Sequence, residues 1–151
     1  MPASDSTYPL FSGRVRHALD AKNRTTIPAG WRPARPAPLW LVPQSDGSCL
    51  LAMPYEEFKA IPARVNSLTH IDAEDRQNFI DLIYAEAEQV TPDKQGRFVI
   101  PEHFCRELTL SGEIILTGAE SKLKIWNPEA FEAFRSRRRT ETRNVGKLAQ
   151  L

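Results

Sequence analysis

The sequence contains no long apolar run, and this absence excludes a membrane-spanning helix. A bilayer span needs about 20 consecutive apolar residues, whereas the apolar 41% of this 151-residue chain is interrupted throughout by charged residues, which make up 26%. The first ten residues also lack the basic region and apolar stretch of a secretory signal. We therefore expect a soluble protein in the cytoplasm, with no membrane partner.

Cysteine and histidine are scarce, which leaves little material for catalysis or metal binding. Cys49 and Cys105 lie outside any C-x-x-C pattern, so they predict reduced structural thiols in place of a disulfide framework or a zinc site. The histidines, His17, His70 and His103, lack the i, i+4 spacing of a helical metal site. His103 and Cys105 are two residues apart in a predicted short helix, where their side chains point to different faces. The sequence thus predicts no metal, no cofactor, no small-molecule substrate and no enzyme.

The net charge is only +1, but the charges are segregated along the chain. Residues 14–24 carry +3, residues 86–97 carry −1, and the last 17 residues carry +5. Clustered basic residues attract phosphates, so we expect nucleic-acid contacts near residues 14–24. The basic C-terminal segment has two interpretations: its cations complement a helix dipole, or they contact phosphates without reading sequence.

The chain also contains an internal repeat. DAKNRTTIP at residues 20–28 returns 73 positions later as DKQGRFVIP at residues 93–101. The similarity continues downstream, from residues 39–42 to 114–117 and from 48–54 to 122–128. Such a repeat predicts two structural halves built from the same elements, and about 50 residues are marginal as an independent core. The two halves are therefore expected to share one core.

The repeat and the patterning between its copies predict the organisation of the chain. We expect a first half at residues 14–60, a helical connector at 61–87, a second half at 88–131, and a helix end with a mobile basic tail at 132–151. Within the connector, a helix should start after Asp72 and bury a stripe made of Phe79, Leu82 and Ile83. The prolines in residues 31–43 forbid a long helix and predict an extended crossing.

Each repeat begins with a polar turn in which an aspartate precedes an arginine by four positions. The aspartate can accept backbone N–H groups and fix the turn, and the residue before the arginine must tolerate a left-handed conformation. The arginine can pair back onto the aspartate as a structural salt bridge, or it can reach a phosphate or a guanine edge. These residues are Asp20, Asn23 and Arg24 in the first turn, and Asp93, Gly96 and Arg97 in the second.

The chain resembles the MraZ family of bacterial proteins in several short motifs. They are FSG at residues 11–13, LDAKNR at 19–24 with IP at 27–28, DKQGR at 93–97 with IP at 100–101, and KIW at 124–126. The resemblance covers residues 11–134. It departs from the family pattern at Asn23, where glycine is usual, and in the proline-rich segment, where a helix is usual.

The resemblance implies an α+β fold in which two SpoVT-AbrB halves form one pseudo-twofold, swapped-hairpin β-barrel with connecting and capping helices. It implies a ring-shaped homo-oligomer and a nucleoid-associated transcriptional regulator of the division and cell-wall gene cluster. A ring would engage double-stranded DNA at direct repeats, and boxes upstream of its own gene are the expected target. The alternative is a ring-forming protein-binding or antitoxin-like module of the same fold that has no specific DNA target.

The resemblance and the charge pattern together give the expected DNA-contacting residues. Arg24 is the main contact that the family implies, and Arg97 with Asp93 forms the partner motif. Arg14, Arg16 and Lys22 should support the first turn, whereas Lys94 and Arg97 should form a second, weaker set because their surroundings are acidic. Asp20, Asn23, Asp93 and Gly96 are expected to organise the turns.

Overall fold

The computed structural model describes residues 7–151, which fold into eight strands and six α-helices. The strands are β1 Arg14–Leu19, β2 Arg24–Thr26, β3 Leu39–Pro43, β4 Leu50–Met53, β5 Glu88–Val90, β6 Arg97–Val99, β7 Gly112–Ala119 and β8 Lys122–Trp126. The helices are α1 Tyr55–Lys59, α2 Ile61–Asn66, α3 Ala73–Glu86, α4 Glu102–Leu108, α5 Pro128–Glu141 and α6 Arg143–Leu148, and a 3-10 turn covers Ala29–Trp31.

The strands form two antiparallel sheets, so the fold mixes α and β structure as expected. Six strands pair in the order β1-β7-β8-β4-β3-β5, and β2 pairs with β6 as a separate two-stranded ribbon. Within residues 7–151 no pairing joins β1 to β5, so the large sheet stays open where one closed barrel was expected. The ribbon is short because each of its strands is followed two residues later by a proline, Pro28 or Pro101, which has no N–H to extend the ladder.

The strand pairing exchanges elements between the two repeats. β1 pairs with β7, and β3 pairs with β5, so each first strand lies against the other repeat. The sheet order is unchanged when β1 is exchanged with β5, β3 with β7 and β4 with β8. Neither repeat completes the sheet alone, because each interior strand pairs with one strand of its own repeat and one strand of the other.

One buried cluster lies between the large sheet and the ribbon, and both repeats contribute to it. Its fully buried members include Ile27, Leu39 and Leu41 from the first repeat and Ile100 and Leu116 from the second. This confirms the expectation of a shared core. Burial of such side chains stabilises the fold by about 1.5–3 kcal/mol each, so the two repeats fold as one unit.

Smaller clusters lie under the helices on the outer face of the sheet. Trp40 stacks on Phe58 of α1 at 5.4 Å, and Phe58 stacks on Tyr84 of α3 at 4.4 Å between ring centroids. Trp126 contacts Phe131 of α5 edge to face at 5.6 Å. Helices α1, α3 and α5 therefore cap the sheet away from the ribbon, whereas α4 buries Phe104 and Cys105 in the main cluster. No helix in residues 7–151 is long and apolar enough to cross a bilayer.

The connector helix α3 packs through a different stripe from the expected one. Ile80 is buried and Ile83 packs beside it, but Phe79 and Leu82 are 39% and 54% exposed. α3 contacts α2, and Ile83, Tyr84 and Ala87 pack on the cluster around Phe58. Of the predicted stripe, only Ile83 is in the packed face.

The basic C-terminal segment, for which a helix end and a mobile tail were expected, is helical over most of its length. α5 continues to Glu141, which pairs with Arg138 at 2.5 Å, and Thr142 Oγ1 donates to the Arg138 carbonyl at 2.5 Å. The i, i+3 pair and the hydroxyl satisfy the end of α5. α6 follows directly, with Val145 and Leu148 exposed.

Candidate nucleic-acid interface

The first turn is closed by its aspartate. Asp20 Oδ1 accepts the backbone N–H groups of Lys22 and Arg24, both at 2.9 Å, and Asp20 Oδ2 accepts Arg24 Nε at 2.7 Å. The Asn23 N–H donates to the Asp20 carbonyl at 2.9 Å, and Asn23 has a φ of 61°. Asparagine is one of the few non-glycine residues that adopt this left-handed conformation readily. Four hydrogen bonds thus fix a five-residue loop at the surface.

The second turn repeats this geometry. Asp93 Oδ1 accepts the N–H groups of Gln95 and Arg97 at 2.9 Å, and Asp93 Oδ2 accepts Arg97 Nε at 2.9 Å. Gly96 donates to the Asp93 carbonyl at 2.8 Å and has a φ of 81°. The roles predicted for Asp20, Asn23, Asp93 and Gly96 as turn organisers therefore have a direct structural counterpart.

Both turn aspartates stay ionised at neutral pH. Backbone N–H donation from Arg24 lowers the pKa of Asp20, and the Arg24 side chain lowers it further. The N–H of Arg97 lowers the pKa of Asp93 in the same way, with help from its side chain. Each turn therefore keeps a negative charge that holds its arginine in one direction.

Both arginines form a salt bridge with their aspartate and still expose their outer edges. The Asp–Arg pairs use the Nε atoms, and the Arg24 and Arg97 side chains remain 55% and 63% exposed. In the described residues no hydrogen bond engages the terminal nitrogens of Arg24, and those of Arg97 have only Gln95 Oε1 at 3.4 Å. Exposed ion pairs contribute little stability. The pairs thus orient the guanidinium groups and leave their outer edges available to a ligand.

The β2–β6 ribbon brings the two arginines onto one face. Arg24 lies opposite Val99 and Arg97 lies opposite Thr26, so the two arginines occupy diagonal positions whose backbones are about 7–8 Å apart. Thr25 and Phe98 occupy the other face of the ribbon and are buried. An open cleft of about 630 Å³ runs along the exposed face between the two turns; its lining includes His17, Asp20, Arg24, Asp93 and Arg97.

The turns are also locked to each other across the ribbon. The Ile27 N–H donates to the Gly96 carbonyl at 2.8 Å, and the Ile100 N–H donates to the Asn23 carbonyl at 2.8 Å. Asn23 and Gly96, which have a positive φ, therefore each accept a hydrogen bond from the end of the ribbon strand in the other repeat. Backbone hydrogen bonds therefore fix the relative position of the two turns from which the arginine side chains extend.

The structure separates the remaining expected contacts into two groups. Lys22 lies exposed in the first turn and Lys94 in the second. Arg14 is at the far end of β1, about 17 Å of strand from Leu19, and its guanidinium lies over the Phe131 ring at 5.6 Å. Arg16 pairs with Glu113. Of the cations counted in residues 14–24, Arg14 therefore lies away from the first turn, and Arg16 has an acidic partner.

Two arginines that the sequence analysis missed lie beside the second turn. A cleft of about 360 Å³ is lined by Arg32 and Arg35 together with Asp93, Lys94 and Gly96. Arg32 and Arg35 belong to the proline-rich segment, about 60 positions from the second turn along the chain. No local charge pattern predicts this proximity; only the repeat, which pairs the region after β2 with β6, could have indicated it.

The cysteines and histidines are not arranged for catalysis in the described part of the chain. Both thiols are buried, Cys49 beside Gln44 and Cys105 beside the Ile100 carbonyl. Burial raises the pKa of Cys49 to about 11 and also raises that of Cys105, so both thiols stay protonated and unreactive. His103 Nε2 lies 2.8 Å from Glu88. No cluster of three or more histidine, cysteine, aspartate or glutamate residues able to hold a metal occurs in residues 7–151.

Gly96→Ala is expected to destabilise the protein by about 2 kcal/mol or more. The left-handed conformation costs alanine about 1–2 kcal/mol, and its Cβ would lie 2.7 Å from the Ile27 carbonyl oxygen and 2.5 Å from Arg32 Nε. Urea denaturation measures the change. The matched variant Asn23→Gly should change stability by less than about 1 kcal/mol, and equal midpoints for the two variants would contradict the proposed packing of the second turn.

Comparison with known proteins assigns the chain to a family. Residues 83–147 match a family model described as "MraZ protein, putative antitoxin-like". The chain is 35% identical over 124 residues to the "Transcriptional regulator MraZ" of Thermomicrobium roseum, an alignment that covers 82% of this chain and 86% of the relative. The chain belongs to the MraZ family.

Other MraZ relatives give the same result. Those of Carboxydothermus hydrogenoformans and Lactiplantibacillus plantarum are each 30% identical over 125 residues, which is 83% of this chain and 86% or 87% of the relative. Both are named "Transcriptional regulator MraZ". The part matched by the MraZ family model contains the second turn, β7, β8 and α5, so the motif resemblance found in the sequence is confirmed.

Proposed function

We propose that this MraZ-family chain is a sequence-specific DNA-binding regulator of transcription with no catalytic step. The observation that carries the proposal is the ribbon face, on which Arg24 and Arg97 are each held through Nε by an aspartate and keep their outer edges exposed. The relatives named transcriptional regulators support the biological role.

The chemistry of the ribbon suits a major groove. The groove is about 12 Å wide and admits a two-stranded β-ribbon. An arginine whose two terminal nitrogens are free can donate to O6 and N7 of guanine in bidentate fashion. Two such arginines extend from ribbon positions whose backbones are about 7–8 Å apart. Successive bases are about 3.4 Å apart along a strand, so the arginines can reach base edges two to three base pairs apart. Lys22 and Lys94 then face the phosphates on either side.

The target and the cellular role belong to the same proposal. We expect repeated promoter boxes upstream of the protein's own gene, in a division and cell-wall gene cluster, and association with the nucleoid in the cytoplasm. A regulator that binds its own upstream region controls its own supply. Affinity purification of cross-linked chromosomal DNA would test both the target and the nucleoid association.

The assembly is proposed to combine two SpoVT-AbrB halves, residues 14–60 and 88–131, around a pseudo-twofold axis with exchanged hairpins. The connector is residues 61–87, and residues 132–151 form the helical end and basic tail. The unchanged strand order on exchange of the repeats supports this arrangement. Copies of the chain are further proposed to close into a ring, which light scattering can test.

A second candidate is a protein-binding or antitoxin-like module without a specific DNA target. The description of the matched family model includes the words "antitoxin-like", which favours keeping this candidate. Binding to upstream duplex DNA at several salt concentrations separates the two. Phosphate contacts lose affinity steeply with salt, so a regulator should show a steep salt slope and a preference for the upstream duplex over scrambled DNA. Equal binding to both duplexes would favour the second candidate.

Arg97→Ala is expected to weaken binding to the upstream duplex about as much as Arg24→Ala does. Charge counted along the chain predicts a smaller loss, but Arg32 and Arg35 line the cleft beside the second turn and raise its local positive charge. Fluorescence anisotropy at one salt concentration measures both variants. A loss tenfold smaller for Arg97→Ala would restore the asymmetry expected from the sequence.

Ending the chain after Arg139 should lower affinity for random-sequence DNA and leave the preference for the target nearly unchanged. The removed residues include Arg143 and Lys147, which form no ion pair within residues 7–151, and cations of this kind neutralise phosphates without reading bases. Competition binding measures the preference. If the truncated protein changes its oligomeric state in light scattering, α6 is structural instead.

A further inference from the structure

The proline-rich segment after Trp31 holds its two arginines in a fixed loop. Trp31 is buried and donates from Nε1 to the Ser12 carbonyl at 2.9 Å. At the other end Ala37 is buried, and its carbonyl accepts the Tyr8 hydroxyl at 2.5 Å. Prolines 33, 36 and 38 fix φ between and beside these anchors. The segment is therefore preorganised, and a ligand that binds it has little backbone entropy to remove.

Arg32 is tied to the second turn through the backbone. Its Nε donates to the Ile27 carbonyl at 2.9 Å, and the Ile27 N–H donates to Gly96. The missing side chain of Gly96 makes room for Arg32, because a Cβ there would lie 2.5 Å from Arg32 Nε. Among the described residues, Arg32 forms a hydrogen bond only through Nε, so its terminal nitrogens have no partner in that part of the chain.

The cations of this cleft lack acidic partners at ion-pair distance. Within residues 7–151, neither Arg32, Arg35 nor Lys94 forms an ion pair, whereas the one aspartate of the cleft, Asp93, is paired with Arg97. Arg32 is half-buried, and Arg35 and Lys94 are exposed. Three cations around one open cleft of about 360 Å³ create a local positive potential that an anion can relieve.

The segment of the second repeat that corresponds to the proline-rich segment carries its charges differently. The repeat offset is 73 at the turns and 75 at β3 and β7, and the segment that follows Pro101 in the second repeat is α4, where Arg106 is paired with Glu102 at 3.3 Å. The ribbon face is therefore nearly symmetric in its two turns but asymmetric in what flanks them. A duplex lying along the ribbon would meet the cations of this cleft beside the second turn.

We propose that Arg32, Arg35 and Lys94 form a phosphate-binding site that holds the DNA backbone beside the bases contacted by the second turn. The inference rests on the proposed function and deepens it, because it gives the protein a preferred orientation on each box. Arg35 and the free edge of Arg32 bind phosphate oxygens, while Arg24 and Arg97 read base edges. The site contributes affinity but little sequence discrimination.

The test compares Arg35→Gln with the matched charge loss Lys59→Gln, on α1, using the upstream duplex and a scrambled duplex of equal length. Arg35→Gln should weaken binding to both duplexes by about five- to tenfold at 0.1 M salt for each engaged copy, and should reduce the salt slope by about 0.9. The ratio of the two affinities should not change. Lys59→Gln should leave affinity and slope as in the unmodified protein.

The possible outcomes separate this site from the proposed function. If Arg35→Gln behaves like Lys59→Gln on both duplexes while the unmodified protein still prefers the upstream duplex, the phosphate site is wrong and the regulator stands. If the unmodified protein shows no preference but Arg35→Gln still lowers affinity and slope, the site stands and specific regulation fails. A changed ratio for Arg35→Gln would mean that Arg35 reads bases, which also overturns the phosphate assignment.

Arg32→Gln provides a second readout because Arg32 has two roles. Its loss should lower the salt slope as Arg35→Gln does, and should also lower the thermal midpoint, since the bond to the Ile27 carbonyl is removed. Arg32→Lys keeps the charge and should recover most of the slope. An unchanged slope for Arg32→Gln would remove Arg32 from the site.

Discussion

Arg24→Ala is expected to abolish specific DNA binding while the fold and the oligomeric state remain unchanged. The side chain is 55% exposed and packs into no core cluster, so its removal leaves no cavity. A lost bidentate base contact costs about 1–3 kcal/mol per site. Two engaged subunits would lose about 2–6 kcal/mol, which is roughly thirtyfold or more in affinity. Anisotropy titration on the upstream duplex gives the affinity, and circular dichroism reports the fold.

Arg24→Lys is the informative companion variant. Lysine keeps the charge but lacks the planar fork that donates to two acceptors, so random-sequence binding should persist while preference for the target falls. If Arg24→Ala is folded and binds the upstream duplex with unchanged affinity, Arg24 is not a DNA contact. If Arg24→Lys keeps full preference, the residue acts only as a positive charge.

A duplex with two promoter boxes is expected to bind about a hundredfold or more tightly than a duplex with one. A ring presents the same ribbon repeatedly, so a second box is met at high effective concentration once the first is bound. Neighbouring subunits in a ring are related by a rotation and approach DNA in the same sense. Direct repeats spaced by about 10 base pairs, or a multiple, are therefore expected. Titration of one-box and two-box duplexes measures the gain.

Insertion of five base pairs between the boxes provides the control. It turns one box by about half a helical turn to the opposite face, and most of the gain should disappear. Insertion of ten base pairs should restore part of it. Equal affinities for all spacings would rule out the ring acting on repeated boxes, even if Arg24 contacts DNA.

The repeated turns were largely predictable from the sequence. Asp20 and Asp93, each four residues before an arginine, indicated where the loops close, and Asn23 and Gly96 indicated where the backbone would be left-handed. These features are local, because a few backbone bonds and one side chain determine them. The shared core was also predictable from the repeat, because neither copy is long enough to bury a core alone.

The parts that depend on distant pairing were not predictable in the same way. Arg14 looked like a neighbour of Arg24 because ten positions separate them, but an extended strand carries it to the Phe131 ring. Conversely, Arg32 lies far from Gly96 in sequence and contacts it in the structure. Charge counted along a chain ignores both effects, so it does not show which cations lie beside each turn in the structure.

The sequence pattern also did not predict which side chains form the packed face of a helix. On α3, Phe79, Ile80, Leu82 and Ile83 permit more than one apolar stripe, and the choice depends on which face α2 and the Phe58 cluster cover. Ile83 and Tyr84 pack on the Phe58 cluster and Ile80 is buried, whereas Leu82 is exposed to solvent. Periodicity allows more than one apolar stripe on α3, and tertiary contacts determine which of them is buried.

The most direct test of the central claim is the ratio of affinities for the upstream duplex and a scrambled duplex, measured for the unmodified protein and for Arg24→Ala/Arg97→Ala. If the two turns read bases, the unmodified protein should prefer its target by about a thousandfold or more. The double variant should bind both duplexes almost equally while it keeps part of its salt-dependent affinity. A folded double variant that retains the full ratio would contradict the assignment of sequence recognition to the ribbon.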